Sequence, residues 1–573
     1  MKILNMKTTS ILIIAILFLG LNLKAQQDEK PGNLEETGII IYTEFAPVLK
    51  DANRMQFLPT IVDTVEVNPH FEYKIEPVLF KTSFKPTPIT AASFSGEPLK
   101  PLYNGLIKLG MGNYLSPLAE VYYNTTRQRN YSAGAFVKHH SAFGKVKNSA
   151  DQKIFSGFNN NLVNAFAKRF FYRSTLGADI SFKSNQAYFY GYDPNIIVPT
   201  DFVKPRDREE MEMQRYNKLR ANINLESNNS SERRMNFKSN LAYQYFFTQS
   251  KNTQHKIDFE ADLNKLVKKN RFGMDLGFVF NNDQIQDSAV FNFKETFLDL
   301  NPYFKHYSNN WQICLGVNTT GELSKQPVAY HIYPNVQFQH NISNTIIPYA
   351  SFTGYVQNNT VEFLSDINPF INNFHTNKIT NYAQVIDVGL KGNISRKVFF
   401  HLNANYSKID DMGFFVNDTT TMLENKFVLI YTNVERFTGY GEIALNDLFD
   451  KLSINLKGHY YHYSYIKNRE KPWHMPTVDV RLNTNYKFDN KLNFGLNADF
   501  IGARYAKEYD ADLNIVEKKL KPIVDVSLYG EYSFASNFQA FLNLNNITGQ
   551  KQYVWNNYMS HGFNFMLGLK YLF

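Results

Sequence analysis

Apolar and polar residues alternate along most of this chain with the period of a β-strand, in which successive side chains point to opposite faces. In TVDVRLNTNYKF, Val478, Val480, Leu482, Thr484, Tyr486 and Phe488 share one face, and Asp479, Arg481, Asn483, Asn485 and Lys487 share the other. KLNFGLNADF sets Leu492, Phe494, Leu496, Ala498 and Phe500 against Asn493, Gly495, Asn497 and Asp499. The same rhythm recurs in VFFHLNANYS, KLSINLKGHYYHY, VDVSLYGEYSF and FQAFLNLNN. It closes the chain, with Phe563, Phe565, Leu567, Leu569, Tyr571 and Phe573 on one face. The alternate face is too polar for a sandwich core and suits a wet barrel interior, with the apolar face turned to lipid.

The connections alternate in length as well. NISR, LFDK, KFDNK and FASN are short turns, whereas IDDMGFFVNDTTTMLEN and RYAKEYDADLNIVEKKLK are long and polar. Strands joined by close turns are antiparallel neighbours. Loops are expected near 112–116, 141–158, 187–213, 247–254, 281–289, 319–327, 358–378, 411–425, 464–475, 503–520 and 548–562. Eleven loops imply an all-β transmembrane antiparallel barrel over residues 101–573 of about 22 strands, with 16–22 acceptable and both termini periplasmic.

Composition supports this reading. Aromatic residues make up 15% of the chain. Mean hydropathy is negative, yet dyad alternation hides lipid-facing residues from any hydropathy window. Lys2 and Lys7 precede the apolar run Ile11 to Leu21, and Ala25-Gln26 offers a small-residue cleavage point, so residues 1–25 read as a removed export signal. Residues 26–100 are polar and Pro-containing, without helical periodicity, and read as an extended segment that is periplasmic or fills the lumen. The single cysteine, Cys314, permits no internal disulfide, stands far from any lipid-anchoring position, and is expected to face inward. The net charge of +9 is scattered, with no basic helix or zinc-finger spacing, so a nucleic-acid partner is not expected.

The segment SLYGEYSFASNFQAFLNLNNITGQKQYVWNNYMSHGFNFMLGLKYLF resembles the end of a TonB-dependent receptor barrel. The carrying residues are Asn543 to Thr548, the aromatic loop Tyr553 to Tyr558, and the closing strand Phe563 to Phe573. The resemblance implies a 22-stranded barrel in the cell outer membrane. It also implies that Phe563, Phe565, Leu567, Leu569, Tyr571 and Phe573 form the address read by the barrel-insertion machinery. The family carries a plug domain and a TonB box ahead of the barrel, but about 75 residues are too few for that plug. Glu36-Thr37 and Asp63-Thr64-Val65 are the only stretches with TonB-box character, and without a plug a TonB contact is not expected. The stretch around Gly96 to Ser141 also resembles a group of receptor-type barrels that lack a plug.

No catalytic, metal or cofactor site is expected. His139 and His140 point to opposite faces of one strand, and His459 and His462 likewise, so neither pair forms one site. There is no nucleophile elbow, no His-x-x-x-His helix pair and no cysteine cluster. IDDMG with Asn417, Asp418 and Thr419 to Thr421 falls in an expected external loop, as solvated charge rather than a calcium site. Lys457, Asp479, Arg481, Asp499, Asp525 and Glu531 are expected to line the lumen. Two functions follow. The first is a non-enzymatic scaffold or subunit of an outer-membrane assembly with protein partners, favoured by short loops and the missing plug. The alternative is a solute receptor, transporter or channel.

Overall fold

A computed structural model describes residues 102–573, apart from 229–231, 287–289, 344, 373–377, 465, 467–469, 511 and 513. The export signal, the segment 26–100 and both TonB-box candidates lie outside the described residues. The alternating stretches form a single sheet of 22 strands in which every neighbour is antiparallel and next in the chain. The sheet closes where the first strand, Gly105–Gly112, pairs with the last, Asn564–Leu572, in register from Leu106↔Leu572 to Gly112↔Met566. Closure leaves no unpaired edge, the condition for crossing a bilayer with strands. No described helix is long and apolar enough to cross a membrane, which says nothing against crossing with strands.

Parity sorts the two faces. Leu109, Met111, Val121, Val137, Val163 and Ile180 lie on the outer wall and are exposed, as are Phe565, Leu567 and Leu569 of the last strand. An apolar band running round the whole barrel far exceeds what a water-soluble monomer leaves uncovered, and lipid is its natural cover.

The closing seam is built from small residues. Gly110 and Gly568 stand opposite each other in register. The ring of Phe541 lies across both on the lumen side; a Cβ on Gly110 would meet it at 2.9 Å, and one on Gly568 would strike both this ring and the carbonyl of Leu109. The ammonium groups of Lys108 and Lys570 sit over that ring, and Lys570 is also paired with Glu531.

At one end of the barrel most of the described connections are short turns. Val267 and Asn270 are joined through only Lys268 and Lys269, and Phe449 and Asp450 take positive φ of 52° and 58° between Leu448 and Leu452. The opposite end carries the long connections. The expected loop 411–425 begins later than its polarity suggests. Its IDDMG belongs to the strand Val398–Asn417, which is bulged between Ile409 and Met412 with Asp411 at φ 54°. The expected loop 503–520 folds into its own hairpin, Arg504–Tyr509 with Ile515–Leu520.

Candidate functional site: a loop cap over the lumen

The long connections interlock. Tyr558, between the last two barrel strands, is fully buried and stacks on Phe370 with ring centroids 3.6 Å apart. Its hydroxyl donates to the carbonyl of Asn425 at 2.5 Å, and burial holds its pKa well above the ordinary phenol value. Tyr190 donates to the carbonyl of Met559, Tyr216 to that of Pro369, and the amide of Asn425 to that of Phe189. A short parallel bridge, Ile371↔Phe427, ties the connection that carries Phe370 to the start of the strand Phe427–Leu448. In a ring of 22 strands these connections rise from well-separated arcs. They meet only by reaching inward over the mouth.

A second apolar cluster adjoins the first, with Trp473, Ile409, Phe414, Met412, Val416 and Val434 buried together. His474 links the two. Its Nδ1 is 2.9 Å from the carbonyl of Phe415, which can only accept, so Nδ1 carries the proton. Nε2 then accepts the backbone N–H of Asn556 at 3.2 Å. Burial, with the Arg504 charge nearby, lowers the His474 pKa to about 4. The Arg504 guanidinium donates to the carbonyls of Val554 and Tyr553 at 2.6 Å each. A seven-residue helix, Val361–Ile367, is capped by Thr360 and is the only α-helix among the described residues. Lys218 pairs with its Glu362 and Asp366, and Lys183 with Asp366, which fixes the helix against the inner wall. Burial works to raise the Asp366 pKa, but the two ammonium groups hold it below the usual carboxylate value.

Below the cap the inner wall is charged with both signs. His459 Nδ1 is 3.0 Å from Asp479, Arg481 donates to Asp499 at 2.5 Å, and Lys457 stands in register with Glu442 and Arg481. Tyr440 and Asn455 both donate to Glu442. Further round, Tyr303 donates to Asp262, with Asp258, Asp275 and Asp299 on the same face.

No family model and no curated protein matches the chain. Solved structures do. The pyoverdine receptor FpvA of Pseudomonas aeruginosa, in a structure with bound heterologous pyoverdine, aligns at TM-score 0.63 and 11% identity over 83% of this chain and 72% of its own. The FrpB iron transporter of Neisseria meningitidis aligns at TM-score 0.63 and 9% identity over 83% and 82%. The ferric-catecholate import receptor Fiu of E. coli aligns at TM-score 0.60 and 9% identity over 83% and 82%. The fold is that of the TonB-dependent receptor barrels. With its apolar outer band, it is a barrel of the outer membrane.

In this barrel the six residues expected to line the lumen all carry inward parity. Lys457, Asp479, Arg481 and Asp499 form one adjacent patch, Asp525 stands in register with Asp499, and Glu531 belongs to the closing seam. Phe563, Phe565, Leu567, Leu569, Tyr571 and Phe573 are exposed on the outer face. Glu36, Thr37, Asp63, Thr64 and Val65 lie outside the described residues. His459 and His462 fall on inner and outer faces. Cys314 is buried and faces inward beside Lys305. Asp418 is engaged by Thr420 and Asn372, and among the described residues no carboxylate, histidine and cysteine cluster has metal-binding geometry. The cap itself had no clear signal in alternation, because loop residues pack through irregular contacts. The aromatic density of Phe370, Phe427, Trp555 and Tyr558 in otherwise polar connections is the trace it leaves.

Proposed function

We propose that this barrel is a receptor and transporter for a solute that enters through the capped mouth. The observation that carries the reading is the cap itself. Buried aromatic rings from separate connections meet over the mouth above a wall lined with both charges, an arrangement suited to admitting a ligand. The neighbours support transport. FpvA, FrpB and Fiu are named for pyoverdine, iron and ferric catecholate, so a ferric chelate is the solute class to test first. The scaffold reading rested partly on short loops; the connections 188–213, 358–379 and 501–523 are long and interlocked, which removes that support. The neighbours give no support to leaving TonB aside. Under this reading TonB is a partner, and Glu36-Thr37 and Asp63-Thr64-Val65 are the segments to meet it.

The test is uptake of labelled ferric chelates by iron-limited cells with and without the intact gene, alongside mild-detergent purification of the protein. Uptake lost on deletion and restored by the full chain supports transport. Unchanged uptake across the panel, with a stoichiometric protein partner recovered, favours the scaffold.

A further inference from the structure

The loop end of the outer wall carries a polar chain that transport does not use. His139 and Ser141 lie two residues apart on the strand Tyr131–Ala142 and therefore share a face. Tyr131 and Val137 have the same parity and are exposed on the outside, whereas His140 turns inward to Ser116. The register sets Asn161 opposite His139 and Asn159 opposite Ser141. The Asn161 amide nitrogen donates to Asn159 Oδ1 at 2.9 Å, which aims Asn161 Oδ1 at His139 Nδ1, 2.7 Å away. An amide oxygen only accepts, so Nδ1 holds the proton and Nε2 is free to accept from the Ser141 hydroxyl at 3.1 Å. That is the order of nucleophile, base and orienting group.

We propose that Ser141, His139 and Asn161 form a hydrolytic site for an acyl ester of a membrane amphiphile, such as a glycerophospholipid. Ser141 Oγ attacks the ester carbonyl as His139 Nε2 takes its proton. The proton passes to the departing alcohol as the carbon–oxygen bond breaks. Water, deprotonated by the same nitrogen, then releases the acid and restores the hydroxyl. Asn161 is a positioning residue that keeps the imidazole in the needed tautomer. Ser141 is completely covered in this structure, so the site opens only when its cover lifts. The connection that follows it folds as the hairpin Lys145–Lys147 with Lys153–Phe155. This hairpin is held to the next connection by the half-exposed pair Lys145–Asp207 and by the Phe155 N–H to the Arg206 carbonyl. Exposed pairs of this kind hold weakly, whereas Ile154 and Phe155 of the hairpin pack into a buried cluster with Tyr188, Tyr192 and Met211, so removing Lys145 loosens the hairpin without freeing it.

The test uses the full chain in detergent micelles, labelled with a fluorophosphonate, which bonds a serine oxygen to phosphorus as fluoride leaves. The adduct is mapped by mass spectrometry in the wild type, Ser141→Ala, His139→Gln, Asn161→Ala and Lys145→Ala, each verified as a folded barrel by heat-dependent gel mobility. Expected is an adduct on Ser141, absent in Ser141→Ala, slowed about 100-fold or more in His139→Gln, slowed less in Asn161→Ala, and faster in Lys145→Ala. No adduct in both the wild type and Lys145→Ala overturns the proposal, as does labelling of His139→Gln at the wild-type rate. Neither outcome bears on transport, which is read by uptake.

Discussion

Acid should loosen the cap through His474. The neutral ring satisfies both of its neighbours, with Nδ1–H donating to Phe415 and Nε2 accepting from Asn556. Protonating Nε2 breaks the second bond, turns a donor toward a donor, and places charge beside Arg504 in an apolar cluster. The folded pKa of about 4 lies below the ordinary value of 6.5. The stabilisation is therefore fully present above about pH 6.5, and is lost as pH falls toward 4, below which no more is lost. A separation of two to three units corresponds to about 3 kcal/mol, enough to open loops held by a few hydrogen bonds without unfolding a closed barrel. The reporter is built in, because Trp473 and Trp555 are in the cap and are two of only three tryptophans. Purified full chain titrated from pH 7.5 to 3.5 should show a red shift of tryptophan emission between 6.5 and 4, with the β-sheet circular dichroism unchanged. In His474→Gln, which can donate and accept at the same two partners but does not titrate, that shift should disappear. Emission that stays flat in the wild type, or shifts equally in His474→Gln, would refute the reasoning.

Four further outcomes follow from particular contacts. Tyr558→Ala removes a fully buried ring and its hydrogen bond to Asn425, at a cost of about 3–5 kcal/mol, and limited trypsin digestion should then cut the cap loops at Lys426 and Lys471 while the barrel core persists. Gly568→Val drives a side chain into Phe541 and the Leu109 carbonyl, costing about 1–3 kcal/mol, seen as a lower temperature for loss of the folded band on heated gels. Lys218→Ala leaves Glu362 without its ammonium partner and Asp366 with Lys183 alone, so the helix Val361–Ile367 should lose about 1–2 kcal/mol of docking energy, read as faster amide exchange in that helix. Deleting Phe573 should lower the fraction of the chain inserted in the outer membrane in cells; unchanged insertion would remove the final aromatic from the insertion signal.

The wall was legible because strand period and lipid exposure impose the same alternation. Val478, Val480 and Leu482 can face only one way once Asp479 and Arg481 face the lumen. The eleven loops followed from turn chemistry, and their bounds failed where strands bulge, as at Asp411, where a connection makes its own hairpin, as after Arg504, and where polar residues continue a regular strand, as at Asn281 to Gln286 and Thr319 to Glu322. The cap was not legible. Tyr558 meets Phe370 across almost two hundred residues, and no periodic pattern records a contact set by where loops converge. The His139–Ser141 pairing had a signal in its spacing of two. The adjacent His140, which turns to the other face, masks that signal in the sequence.

Whether the capped barrel takes up a ferric chelate is read by titrating the purified full chain with a panel of ferric chelates at pH 7.4. A saturable change in tryptophan emission is expected for at least one chelate, absent with the iron-free carrier. Emission that stays flat across the panel, in protein whose emission still shifts when the pH is lowered, would contradict it.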